Sequence, residues 1–148
     1  LKSWASIKVD EKKEKGKRSV LDGVPFHMPA LLRAHRITEK AARVGFDWNN
    51  IDEVFKKLEE ELGEFEEAIE SKDVGKVEAE LGDVIFALVN ISRFLEVNPE
   101  EALKKTVRKF INRFNYIEEG LERAKKDIRE TGLEEMERLW QEAKKSES

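Results

Sequence analysis

The stretch Lys57–Asn90, KLEEELGEFEEAIESKDVGKVEAELGDVIFALVN, decides the fold and poses the functional question. Nine glutamates and two aspartates stand there beside some of the most apolar sequence in the chain. Ile51, Val54, Phe55, Leu58, Leu62, Phe65 and Ile69 recur three or four residues apart, a spacing that gathers side chains on one face of an α-helix. Asn50 followed by Glu53 forms a capping-box pattern at its start. SKDVG interrupts the pattern, and a second helix is predicted from near Val74 to about Val97. Two helices joined by so short a break form an antiparallel hairpin.

The same periodicity extends outward. PALLRAHRITEKAARV reads as a helix with Pro29 in its first turn and Gly45 as its stop. Asn98 and Pro99 open another helix that carries Leu103, Val107, Phe110, Ile111, Phe114 and Ile117, and Gly120 is a point where it can fray or bend. LEEMERLWQEAKK forms a last helix after Thr131 and Gly132. Residues 1–20 read as a short helix fading into a linker. No period-2 alternation or Asn-Gly or Asp-Gly turn signals a strand. The fold class is all-α, an antiparallel helical bundle.

Composition narrows the possible functions. The 148 residues suffice for a domain with a core. Charged residues make up 41%, far above the usual quarter, yet the signs are mixed and the net charge is −4. No basic field recruits nucleic acid. The absence of cysteine excludes disulfides, thiolate metal sites and a thiol nucleophile. No apolar run reaches a membrane span and no signal peptide is visible, so a cytoplasmic protein is expected. His27 and His35 lack the Glu-x-x-His context of a di-iron site, and there is no GxxxxGK[ST] loop.

The hairpin has a register. Glu61 with Glu64, and Glu80 with Asp83, are each spaced i, i+3, and the midpoint between the two pairs falls in the Ser71–Asp73 turn. In an antiparallel hairpin four carboxylates therefore stand at one level. Glu61 lies on the shoulder of its apolar stripe. The partner helix is apolar almost all round from Val84 to Leu95, so Asp83 and Asn90 are expected to face more than bulk water. Like charges in a half-buried site repel, and either protonation or a divalent cation relieves them. Oxygen ligands select Mg²⁺, Mn²⁺ or Ca²⁺. Spacing alone leaves a metal site and a solvated acidic face both open, and leaves the role of Glu60 open. For Glu59, Glu66, Glu67 and Glu70 a solvated face is expected.

EELGE at 60–64 and ELGD at 80–83 resemble the EExxE…ExxD pattern of the all-α nucleoside triphosphate pyrophosphohydrolases. SVLDGVPFHMPALLRAHRITEKAARVGFDW, LGDVIFALVNISRFL, EALKKTVRKFINRF and LEEMERLWQEAK resemble, more narrowly, the C-terminal catalytic domain of the MazG family. Residues 17–148 are thus expected to be a MazG-like domain, with 1–16 the linker or tail of a preceding one. The resemblance implies hydrolysis of nucleoside triphosphates between the α- and β-phosphates, to monophosphate and pyrophosphate. It implies Mg²⁺, with Mn²⁺ a possible substitute, bound by Glu61, Glu64, Glu80 and Asp83. Glu60 and Glu61 are the implied catalytic carboxylates, and Lys109, Arg113, Trp140 and Lys144 the implied nucleotide contacts. It further implies a homodimer. Broad base tolerance is expected; a narrow dUTP- or dCTP-type hydrolase and a non-catalytic helical interaction domain are the alternatives. From the residues themselves, Lys109 and Arg113 share a helix face and suit either a pyrophosphate clamp or surface ion pairs. Trp140 suits a core anchor or a stacking platform, and Asn90 a buried satisfied amide or a contact to sugar or base.

Overall fold

The computed structural model describes residues 19–147. The linker expected at 1–16 lies outside them, as does nearly all of the helix expected within 1–20. The described residues form α1 (Ala30–Arg43), α2 (Ile51–Ser71), α3 (Val74–Phe94), α4 (Pro99–Arg123), a 3-10 turn (Ile128–Glu130) and α5 (Leu133–Ser146). None of them forms a strand, as the sequence predicts.

Local chemistry sets the boundaries. Pro29, with ψ 137°, is still extended, so α1 begins one residue later than the sequence suggests. Gly45, at φ 93°, takes the left-handed turn that ends this segment. The Asn50 side chain accepts from the Glu53 amide at 3.0 Å. The return bond of the capping pattern lands on the Asn49 amide instead of that of Asn50, at 3.2 Å. Lys72, at φ 60°, reverses the chain after α2. Asp73 then caps α3 by accepting from the amides of Gly75 and Lys76 at 3.0 and 3.3 Å. Asn98 accepts from the Glu100 amide at 3.0 Å, next to Pro99 at the head of α4.

The chain divides into two compact units, one ending at Glu100 and one spanning Glu101–Ser148. In the first, α2 packs along α3, and α1 also packs on α3. Val54, Ala68, Val84, Ala87, Val89 and Ile91 are buried there. The predicted stripe on α2 divides: Val54 is fully buried, while Phe55, Leu62 and Ile69 stay exposed. The expectation that α3 is buried on most faces is also corrected. Ile85, Phe86, Leu88 and Leu95 are all exposed, because α1 and α2 cover only part of its circumference.

In the second unit Ile117, Leu121 and Leu139 form a core, with Phe114, Tyr116, Ile128, Met136 and Trp140 packed against it. Helix α4 runs through Gly120 without ending there. A Cβ at Gly120 would meet Leu139 Cδ2 at 3.0 Å, so the glycine admits a close approach of α5. No helix among the described residues is long and apolar enough to cross a membrane.

Candidate metal centre and adjoining cavity

Glu61 and Glu64 project from α2 and Glu80 from α3. One carboxylate oxygen from each lies within 4.8 Å of the others. The turn at Lys72 and Asp73 sets this register, as the level-matching in the sequence predicts. Asp83, the fourth predicted ligand, is exposed and is not part of this close set; it lines the cavity beside it. Glu60 is exposed, 3.7 Å from the Lys57 ammonium. Glu59, Glu66, Glu67 and Glu70 are exposed, as a solvated face requires.

The three carboxylates are electrostatically unequal. Glu61 is only 5% exposed. Lys57 Nζ lies 2.7 Å from its Oε1, and that contact holds the Glu61 carboxyl below the usual range against the opposing cost of burial. The negative charge of Glu61 in turn raises Glu64. Glu80 is pushed up to about 7, first by desolvation and then by Glu61, Glu64 and Asp83. Glu61 Oε2 and Glu80 Oε2 are both buried without a hydrogen-bond partner. Two orphaned carboxylate oxygens, with a third carboxylate beside them, form an all-oxygen set that could hold a metal ion. No histidine joins such a cluster among the described residues.

Beside the carboxylates lies a cavity of about 740 Å³, within the roughly 300–1,000 Å³ of small-molecule sites. Lys57, Glu61 and Asp83 line its charged side, and Ile37, Ala41, Phe46, Trp48, Phe86 and Ala87 give it apolar and aromatic walls. Asn90, 8% exposed, and Arg93 also line it. Arg93 forms a bidentate ion pair with Asp47, its Nη1 and Nη2 donating at 2.9 and 2.6 Å. The Arg93 hydrogen bonds hold Asp47 below the usual carboxylate range.

In the second unit Arg113 donates to both oxygens of Glu147, at 2.9 and 2.8 Å, and lies over the Trp140 ring, 5.2 Å from its centroid. Trp140 is half-buried against the local core, the anchoring role its residue type suggests. Lys109 and Lys144 are exposed on this unit; the Arg113 hydrogen bonds hold the Glu147 carboxyl below its ordinary range, and the two lysines add to that more weakly.

Sequence reading missed Lys57, Asp47 and Arg93. Lys57 had a signal, since it stands four residues before Glu61. Asp47 and Arg93 had none, because their bond spans 46 positions.

Carboxylates from two antiparallel helices thus converge beside a cavity of small-molecule size, an arrangement that could hold a metal ion. Residues 50–117 match the MazG nucleotide pyrophosphohydrolase domain. The chain is 44% identical over 143 residues to the nucleoside triphosphate pyrophosphohydrolase/pyrophosphatase MazG of Thermotoga maritima, covering 97% of this chain and 54% of that protein. It is 37% identical over 151 residues to the nucleoside triphosphate pyrophosphohydrolase of Escherichia coli K12, covering 99% of this chain and 57% of that protein. An uncharacterized protein of Bacillus subtilis is 43% identical over 148 residues, covering 99% of this chain and 30% of that protein. The chain spans about half the length of the first two.

Proposed function

We propose that this protein is a divalent-metal-dependent nucleoside triphosphate pyrophosphohydrolase that cleaves the α–β phosphoanhydride to a nucleoside monophosphate and pyrophosphate. The observation that carries the proposal is the convergence of Glu61, Glu64 and Glu80 beside the cavity. The domain match and the activity for which the Thermotoga and Escherichia relatives are named support the choice of reaction.

A triphosphate carries about four negative charges near neutral pH, which an acidic site repels unless cations intervene. Glu61, Glu64 and Glu80 would hold Mg²⁺, with Mn²⁺ as substitute, and Asp83 would complete the set from the cavity edge. When bound, the cation supplies charge neutralisation for the phosphates and acidifies water. Lys57 adds a positive charge on the same side of the cavity. Glu61 and the exposed Glu60 are the proposed carboxylates that accept the proton of the attacking water. Phe46, Trp48 and Phe86 offer faces for a nucleoside without reading a base edge, which supports broad base tolerance. Lys109, Arg113, Trp140 and Lys144 are further proposed nucleotide contacts, with residues 17–148 as the catalytic domain.

A homodimer, and a cytoplasmic setting for these nucleotide pools, belong to the same proposal. Phe55, Leu62 and Ile69 on α2, and Val74, Leu81, Leu88 and Leu95 along α3, are exposed and repeat every seven residues. Such a heptad row suits packing against further helices, and a second copy supplies them.

The test is product analysis. The protein is incubated with each common NTP and dNTP in MgCl₂, with EDTA controls, and products are resolved by ion exchange. Monophosphate plus pyrophosphate, abolished by EDTA, is the expected result. Diphosphate plus phosphate would overturn the proposed scissile bond, and turnover of only one base would overturn broad tolerance in favour of a narrow hydrolase.

A further inference from the structure

The loop between α1 and α2 and the end of α3 meet through Asp47 and Arg93. These groups are well covered: their side chains are 13% exposed for Arg93 and 24% for Asp47. Besides its two bonds to Asp47, Arg93 Nη2 donates to Asn90 Oδ1 at 3.0 Å. A guanidinium has donors only, so this contact fixes which end of the Asn90 amide is its oxygen. The nitrogen end has a single bond, to the Phe86 carbonyl at 3.5 Å, the long limit for such a contact. Asn90 lines the cavity with its acceptor engaged and its donor capacity largely unspent. Asp47 holds the arrangement from the other side: its Oδ1 accepts from Arg93 and also from the Trp48 amide, at 2.8 Å. The same carboxylate thereby ties down the loop that carries Phe46 and Trp48 to the cavity wall.

We propose that Arg93 and Asp47 are a positioning pair that locks the Asn90 amide as a hydrogen-bond donor to an acceptor on the nucleoside portion of the substrate. This rests on the triphosphate-hydrolase reading above. Neither Arg93 nor Asp47 need touch the substrate. Arg93 orients Asn90, and Asp47 keeps Arg93 from rotating away. Without Arg93 the Asn90 amide is free to flip, presenting an oxygen where the ligand also has an acceptor.

A double-mutant cycle reads this directly. Steady-state kinetics with a Mg²⁺–triphosphate are measured for the wild type, Arg93→Met, Asn90→Ala and the double variant, with circular dichroism and melting temperature alongside. Each single change is expected to raise KM about tenfold, the scale of one lost hydrogen bond to a ligand. The loss from Arg93→Met falls on KM more than on kcat. The double variant is expected near the same tenfold, because both changes remove one interaction. Independent effects near a hundredfold, or an unchanged KM in folded Arg93→Met, would overturn the positioning role while leaving the hydrolase intact. A wild type that cleaves no triphosphate overturns the hydrolase reading and this inference with it. Should Arg93→Met fail to fold, Asp47→Asn, which preserves shape, enters the same cycle with Asn90→Ala, and additivity there overturns the proposal equally.

Discussion

Replacing Glu61 by glutamine separates the charge of this side chain from its volume. Glu61 is 5% exposed, its Oε1 is paired with Lys57, and its Oε2 is buried with no partner, as is Oε2 of Glu80. A glutamine amide in the same place can donate to the Glu80 carboxylate and satisfy both orphans. The ion pair lost in exchange is offset because the neutral amide no longer carries the desolvation cost of a buried charge. The metal-free variant should therefore stay within about 1 kcal/mol of the wild type. Metal binding is where the change is felt. At a Mg²⁺ concentration one hundred times its dissociation constant, the wild type gains about 2.7 kcal/mol. For a chain of this size that raises the melting temperature by about 5–11 °C. Even outer-shell partners of a metal site are worth 10–100-fold in affinity, so losing a direct ligand should cost about a hundredfold or more. At the same Mg²⁺ the gain then falls to about 0.4 kcal/mol or less, a shift below about 2 °C. Turnover should fall by about a thousandfold, the scale of removing one electrostatic group from a reaction site. Thermal melts in EDTA and in MgCl₂, with calorimetric titration of the metal, check each part. A Glu61→Gln protein that keeps the full Mg²⁺-dependent shift refutes the reasoning, since the cation would then be held elsewhere.

The Glu80 carboxyl, pushed up to about 7, favours the protonated form in the folded chain. Its contribution to metal-free stability is complete below the ordinary carboxylate range and is lost as pH rises through 7. Metal binding should reverse that trend, with about one proton released per ion at pH 6 and almost none at pH 8; titration calorimetry in buffers of different ionisation enthalpy counts it. Leu88→Glu places a charge in the exposed heptad row of α3 and should weaken a dimer by about a hundredfold, read by light scattering across a dilution series; an unchanged mass rejects that face as the interface. Glu147→Gln should release Arg113 from its bidentate partner and lower KM for a triphosphate about threefold, the worth of a modest ion pair. A KM that rises instead would mean Glu147 helps Arg113 rather than masking it.

The hairpin was legible because two local signals agree. Apolar residues repeat at helical spacing through α2, with the Asn50 cap at its start, and the SKDVG break marks where α2 gives way to α3. Level-matching across the turn puts Glu61, Glu64, Glu80 and Asp83 at one height from arithmetic alone, and the first three do converge while Asp83 stays outside the close set. What burial does to each carboxylate was not legible. Glu61 and Glu80 are close in space yet shifted in opposite directions, because only Glu61 has Lys57 against it. The exposed faces of α2 and α3 were missed for a related reason: hydrophobicity says that a face is to be covered, not whether the same chain covers it. The packing role of Gly120 was not legible, because it lies in Leu139, nineteen positions away.

The turn at Lys72 and Asp73 does more than join two helices. One residue inserted there would carry α3 forward by about 1.5 Å and swing it by about 100°, taking Glu80 off the face that meets Glu61. The apolar contacts could slip to a new register and hold a hairpin together, but the carboxylates would be dispersed. Loops elsewhere on a protein drift in length at little cost. This one should not, and a library of single-residue insertions along the chain would find it intolerant of changes that leave folding intact.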